Sequence, residues 1–294
     1  MAIFGNGYNS ASDKAFLYVV NLSDGSQIAK IAAGDSTSNG LSTPVLYDAN
    51  NDKIIDYAYA GDLQGNLWKF DLSNLTLANS GSPLFTATNA NGQVQPITVQ
   101  PVIGNHPNGG VLIYFGTGRY LTAIDPSNIE VQSFYAMWDK PGETGTIPRD
   151  NDHIQPQTIT AETLEFFFGQ RETSNNTVDW GSKRGWYLDL VPPSGAAGER
   201  VISRALLKHD RIIFVTVIPS SDPCVSGGDS WLMELDAITG GRTSISNFDF
   251  NGDNVFDDAD KLASGNVSSG IKSTVGIAET PTSLQSETPG VAYL

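Results

Sequence analysis

Two short stretches of this chain crowd oxygen-bearing side chains at the spacing of a hard-cation loop. In residues 48–56, Asp48, Asn50, Asp52 and Asp56 occupy positions 1, 3, 5 and 9, and Ile54 offers a backbone carbonyl at position 7. Residues 249–260 repeat the arrangement with Asp249, Asn251, Asp253 and Asp257, the Val255 carbonyl, and Asp260 at position 12. Ca²⁺ takes six to eight oxygen ligands, and this is the EF-hand-type order of donors. Three carboxylates in one turn repel each other unless a cation sits among them, so both loops are expected to bind Ca²⁺. The second loop is the cleaner match, with Asp260 in the closing place and Asn254, a residue tolerant of left-handed backbone, at position 6. The first has Lys53 at position 6 and Tyr59 at position 12, so Asp62 or water is expected to complete it. Phe250 and Phe256 are expected to turn inward and tie the second loop to the core.

Other chemistry is poorly represented. There is no Gly-x-Ser-x-Gly elbow and no His-Glu-x-x-His. His106, His153 and His209 stand in separate turn-like contexts and read as surface residues. The Asp257–Asp258 pair is explained by the loop spacing, and Gly116-Thr117-Gly118 lacks the strand-to-helix setting of a dinucleotide fingerprint. One cysteine, Cys224, excludes an internal disulfide framework and a cysteine-based zinc site. No enzyme is expected.

The acidic stretches must be positioned by strands. Gly5, Gly61 and Gly116 recur 56 and 55 residues apart, each closing an apolar run before a polar turn. An aromatic-aliphatic alternation follows each one, as in residues 15–22, 65–71 and 133–139. A period of that size is the length of a β-propeller blade of four short strands with long loops. A glycine at the crowded end of a strand leaves room for a neighbouring backbone. Asp24-Gly25 is a hairpin signal, and residues 206–218 read as two strands around residues 208–211. Residues 140–159 are polar and rich in Pro and Gly, an insertion on the frame; residues 161–170 fit either a short helix or a strand. With 39% apolar residues and 10% aromatics there is enough for a packed core, and residues 1–294 are read as one all-β domain. Its ends suggest a piece excised from a larger secreted protein.

The net charge of −15, from 32 acidic and 17 basic residues, repels a phosphate backbone, so nucleic acid is excluded as a partner. No apolar run is long enough to cross a bilayer.

Four motifs resemble the C-terminal domain of the PilY/PilC proteins, the type IV pilus biogenesis and tip adhesin proteins of Gram-negative bacteria. They are Gly5-Asn6-Gly7-Tyr8-Asn9-Ser10, residues 48–71 with a Tyr-Ala-Gly-Asp-Leu-x-Gly-Asn-Leu-Trp-x-Phe-Asp core, Phe115-Gly116-Thr117-Gly118-Arg119-Tyr120, and Gly240-Gly241-Arg242. The resemblance implies a modified seven-bladed, quinoprotein-like propeller with inserted loops. It implies that calcium in the loop of Asp48, Asn50, Asp52, Ile54 and Asp56 sets pilus extension against retraction, with roles in twitching motility, adhesion and virulence. The implied partners are pilus components such as minor pilins or the pilus tip, and a host-cell receptor. The implied location is the pilus tip, outer membrane or cell surface. Two other readings stay open: a quinoprotein-like enzyme, against which the single cysteine counts, and a glycan- or receptor-binding head using Trp138, Trp180 and Trp186.

Overall fold

The computed structural model describes residues 1–165, 168–220, 222, 227–274, 276–282, 284–285 and 292–293. Cys224 lies outside the described residues. Strands β1 (Ala2–Gly5), β2 (Phe16–Val20) and β3 (Gln27–Ala32) form the first sheet. The second is built from β4 (Val45–Tyr47), β5 (Tyr57–Gly61), β6 (Asn66–Asp71) and β7 (Thr76–Leu77), with β8 (Phe85–Thr86) also on β6. Next come β9 (Val102–Asn105), β10 (Val111–Gly116), β11 (Ser133–Asp139), β12 (Gln155–Gln157), β13 (Ile159–Glu165), β14 (Phe168–Thr173) and β15 (Gly185–Asp189). The third sheet runs β9-β10-β11-β15, with β12 parallel to β15 at its edge. β16 (Leu206–Lys208), β17 (Arg211–Pro219), β18 (Gly228–Asp236) and β19 (Gly270–Lys272) make the fourth, whose outer edge is extended by β14 and β13.

Strand alternation explains why these sheets stack. Successive side chains point to opposite faces. On β5 and β6, Ala58, Ala60, Trp68 and Phe70 pack with Leu17 and Ile31 of the first sheet, while Tyr59 and Leu67 join the core of the third. β10 and β11 are buried on both faces, as a sheet between two others must be. Phe85 meets Tyr135 at 5.0 Å between the second and third sheets, and Phe134 stacks on Phe214 at 3.9 Å between the third and fourth. Sheets packed face to face in chain order are the arrangement of propeller blades. Four such sheets are present among the described residues; a ring of seven would need more.

The repeated glycines do what their spacing predicts. A Cβ on Gly61 would stand 2.1 Å from Ile97 Cγ2, and one on Gly116 2.2 Å from Val201 Cβ. The segment linking each sheet to the next crosses at this end. Leu41 accepts from Gly7 and bridges Asp62; Ile97 donates to the Asp62 carbonyl and bridges Gly118; Val201 donates to Thr117, and Arg200 bridges Val217. These contacts string the glycine-side ends of the four sheets along one rim. The β4–β5 connection and the exit of β18 lie at the other end of their sheets, because Tyr57 pairs with Asp71 and Arg211 with Asp236. Both acidic loops therefore occupy the opposite rim.

The 56-residue period stops after the third unit, because β12 to β14 intervene before the fourth. Residues 159–165 and 168–173 are strands, which decides between the helix and strand readings of residues 161–170. The two strands around residues 208–211 are present as β16 and β17.

Candidate metal centre

The two acidic loops adopt one backbone shape. Positions 4 and 6 are left-handed in both: Asn51 and Lys53 at φ 61° and 71°, Gly252 and Asn254 at 74° and 64°. The position-1 carboxylate accepts from the position-6 N–H, Lys53 at 2.7 Å and Asn254 at 2.9 Å. The position-3 amide oxygen accepts from the position-5 N–H, Asp52 at 2.8 Å and Asp253 at 3.0 Å. Position 5 in turn accepts from position 7, Ile54 at 2.8 Å and Val255 at 2.7 Å. The Ile54 and Val255 side chains are exposed, so only their carbonyls are available to the loop interior.

The loops differ in how they close. In the first, Asp56 accepts from the Ala49 N–H at 2.7 Å, so position 9 already ties back to position 2. In the second, Asp260 does this from position 12, accepting from Phe250 at 2.8 Å and from Asp257 at 3.1 Å. Asp257 caps the short 3₁₀ turn of Asp258–Asp260 by accepting from Ala259 at 2.7 Å. The first loop is thus a closed nine-residue unit and needs no acid at Tyr59, which is buried on β5.

Asp62 cannot complete the first loop. It lies beyond the far end of β5, about 17 Å of strand away, and is fully buried. Its Oδ1 accepts from the N–H groups of Gln64 (2.9 Å) and Asn66 (2.8 Å). Its Oδ2 accepts from Asn39 Nδ2 (3.0 Å), Asn66 Nδ2 (3.0 Å) and Trp68 Nε1 (2.8 Å). Sequence reasoning mistook this organising carboxylate for a ligand.

Among the described residues, no three His, Cys, Asp or Glu side chains converge tightly enough to hold a metal ion. The loop carboxylates are engaged by backbone N–H groups instead. The donor set still fits Ca²⁺: every donor is an oxygen, and an oxygen accepting one hydrogen bond keeps a lone pair for a cation.

The first loop is rooted in a charged seam between two sheets. Tyr47 and Tyr57 pair across its base. Lys69 lies 4.2 Å from the Tyr57 ring and 2.7 Å from Asp139 Oδ2, to which Tyr59 also donates at 2.6 Å. Burial, then the Asp139, Asp48 and Asp56 carboxylates, push the Tyr47 phenol above its ordinary range. Neither Lys69 nor Asp139 was singled out from the sequence; their pairing crosses 70 residues and carries no local signature.

Three other expectations are corrected. Phe256 is exposed, and Phe248, which meets Phe250 at 5.8 Å, is the buried ring beside the second loop. His106 is buried, stacked on Trp138 at 4.0 Å, with burial lowering its pKa. Trp138 and Trp186 are core residues and Trp180 is half-buried against His106, so they form no exposed binding platform.

Comparison with known proteins agrees with this architecture. The family model described as the PilY1 beta-propeller domain matches residues 1–170. The type IV pilus biogenesis factor PilY1 of Pseudomonas aeruginosa PAO1 is 36% identical over 287 residues, covering 84% of this chain and 25% of that protein. A PilY1 homolog of Xylella fastidiosa is 36% identical over 263 residues, covering 82% of this chain and 18% of its own length. The chain therefore spans about a quarter or less of these relatives. The crystal structure of the P. aeruginosa PilY1 C-terminal domain superposes with a TM-score of 0.84 at 30% identity, over 97% of this chain and 66% of that one. This chain belongs to the PilY1 β-propeller domain family.

Proposed function

We propose that this chain is the calcium-responsive part of a type IV pilus biogenesis factor, non-enzymatic and acting outside the cell. The carrying observation is that two loops with no shared sequence beyond their acidic ladder adopt one backbone and one N–H-to-carboxylate pattern. In this reading Asp48, Asn50, Asp52 and Asp56 with the Ile54 carbonyl hold one ion. Asp249, Asn251, Asp253, Asp257 and Asp260 with the Val255 carbonyl hold another. Occupancy of the first balances pilus extension against retraction, and with it twitching motility and adhesion. The pilus partners are minor pilins or other tip components, the location is the cell surface or pilus tip, and the four sheets belong to a seven-bladed ring. Support comes from the family, from homologues named as pilus biogenesis factors rather than enzymes, and from the oxygen-only donor sets. Among the described residues no helix is long and apolar enough to cross a membrane.

Calorimetric titration with Ca²⁺ on the wild type, Asp48→Ala/Asp56→Ala and Asp249→Ala/Asp260→Ala tests this. Two sites are expected, one removed by each double variant, with affinity in the roughly 10⁻⁵ to 10⁻³ M range of extracellular modules. A ligand at 100 times its Kd stabilises the folded state by about 2.7 kcal/mol, so chelation lowers Tm by several degrees. In the intact pilus protein, Asp48→Ala/Asp56→Ala is expected to change surface piliation. No heat of binding and a Tm indifferent to chelator overturn the reading.

A further inference from the structure

The rim opposite the acidic loops holds a cavity of about 220 Å³ between the second and third sheets, lined by Leu63, Val94, Arg119, Glu130, Gln132 and Arg200. Its charges are unusual for a chain of net charge −15. Arg200 is 3% exposed, and its guanidinium donates only to carbonyls: Gly198 (2.8 Å), Arg119 (2.9 Å), Asp125 (2.9 Å) and Asn128. No carboxylate pairs with it directly. Arg119 uses Nε on Asp125 Oδ1 at 2.9 Å, and its two terminal nitrogens carry no hydrogen bond among the described residues. Asp125 is saturated by this contact and by the N–H groups of Leu121 and Thr122, both at 2.8 Å.

A second observation points to an absent ligand. Gln132 is 6% exposed and its Oε1 has no hydrogen-bond partner. A buried acceptor left unpaired costs about 1–3 kcal/mol, so the site asks for an N–H or O–H from outside. The Arg119 fork asks for a carboxylate, which guanidinium nitrogens bind in a bidentate way. Glu130 at the rim, held by Gln93 Nε2 at 2.9 Å, disfavours a second negative charge and so argues against phosphate. Leu63, Val94 and Pro96 supply an apolar wall. No aromatic ring lines the cavity, so a sugar has nothing to stack on. The volume is below the ~300 Å³ of a typical small-molecule pocket, which leaves room for one residue end.

We propose that this cavity captures the carboxyl-terminal residue of a partner polypeptide. The terminal carboxylate sits on Arg119, the last backbone N–H donates to Gln132 Oε1, and the terminal side chain lies along Leu63 and Val94. This is an established mode of chain-end recognition. It goes beyond the calcium reading and does not rest on it, since the loops lie on the other rim.

The test uses N-acetylated tetrapeptides ending in Leu or Ser, each as the free acid and as the C-terminal amide. They are titrated into ¹⁵N-labelled protein while the Gln132 side-chain amide and the Arg119 Nε–H signals are followed. Saturable shifts by a free acid, at least tenfold weaker with its amide, are expected. Arg119→Gln is expected to reduce the acid to the level of the amide. Val94→Asp, on the exposed wall and remote from Asp125, is expected to weaken it too while leaving the fold intact. Equal response to acid and amide, no saturation below about 1 mM, or an unchanged affinity in both variants overturns the proposal. Preference for a glucuronate oligosaccharide over every peptide acid overturns it as well.

Discussion

Asp62→Asn is the substitution that most directly tests how the β5–β6 hairpin is held. The wild-type carboxylate accepts five N–H groups in a fully buried site. An asparagine of the same shape has one oxygen and one NH₂. With the oxygen turned toward Trp68, Asn39 and the Asn66 side chain, the NH₂ faces the backbone N–H groups of Gln64 and Asn66, donor against donor. The other orientation strands three donors. The better choice leaves two N–H groups unpaired at about 1–3 kcal/mol each, and relief from burying a charge offsets part of that. The net is a loss of about 3 kcal/mol, a large share of the ~5–15 kcal/mol that holds a domain together. Asp62→Ala orphans all five and should cost about 5 kcal/mol or more. Asp71→Asn is the control, because Asp71 has the same kind of partners, Ser73 and Asn74, in an exposed turn where water replaces a lost bond. It should cost about 1 kcal/mol or less. Urea unfolding followed by tryptophan fluorescence measures all three, since Trp68 donates to the altered group. If Asp62→Asn lies within about 1 kcal/mol of wild type, or Asp71→Asn costs as much, the argument that this carboxylate organises the hairpin is wrong.

Two further outcomes follow from buried charge. Glu234 is fully buried, its two oxygens lack a hydrogen-bond partner, and Arg211 stands 2.5 Å from Oε1. Burial raises its pKa and outweighs the lowering by Arg211. A carboxyl raised in the folded state binds its proton more tightly there, so stability is greatest below the unfolded pKa of about 4.3 and falls as pH rises through the folded value. Tm measured from pH 4 to 8 should therefore decline more steeply in the wild type than in Glu234→Gln; parallel profiles would count against this. Arg171 is fully buried, bonds Glu199 at 2.7 and 3.0 Å and Glu162 at 2.7 Å, and lies over the Trp231 ring at 4.0 Å. Arg171→Met leaves the buried Glu199 uncompensated, a loss of about 3–5 kcal/mol. Arg171→Met/Glu199→Leu should recover much of it, and equal chemical stability of the single and double variants would sink the account.

The frame was legible where sequence neighbours are also structural neighbours. Alternation in residues 57–61 and 66–71 gives β5 and β6 directly, and the glycines that end β1, β5 and β10 mark where a connecting segment crosses the strand. The acidic ladders were legible as turns for the same reason, since each side chain bonds an N–H two to five residues ahead. What failed was the step from turn to partner. Asp62 and Asp56 both follow an apolar run into a turn, yet one faces Trp68 inside the protein and the other the Ala49 N–H outside. Short oxygen-bearing side chains satisfy backbone N–H groups and cations with the same atoms, so composition does not separate the roles. The placement of β13 and β14 was beyond local pattern as well, because they pair with β19, about 100 residues downstream. His106 and the tryptophans read as surface groups because their partners come from loops that meet only after the sheets stack.

The closing position of each loop decides how far an ion would be felt. In the first loop Asp56 is both the last ladder residue and the start of a strand. Its N–H donates to the Tyr47 carbonyl at 3.0 Å and its carbonyl accepts from Leu72 at 2.9 Å, so the loop has no slack on either side. A cation pulling on the Asp56 carboxylate would compete with the Ala49 N–H and tug on β4 and β5 together. The next groups along are Tyr47 and Tyr57, then Lys69, Asp139 and Tyr59 at the seam with the third sheet. The second loop begins 13 residues after β18 ends and closes through Asp260 onto its own backbone, with Phe248 as its buried ring. Filling it would order the loop and leave the sheet as it was. A signal from ion to blade therefore belongs to the first loop. Lys69→Met should weaken the coupling between Ca²⁺ binding and the Tyr47 environment while leaving the affinity of the second loop unchanged. Equal coupling in that variant, read from tyrosine fluorescence during titration, would mean the seam carries nothing.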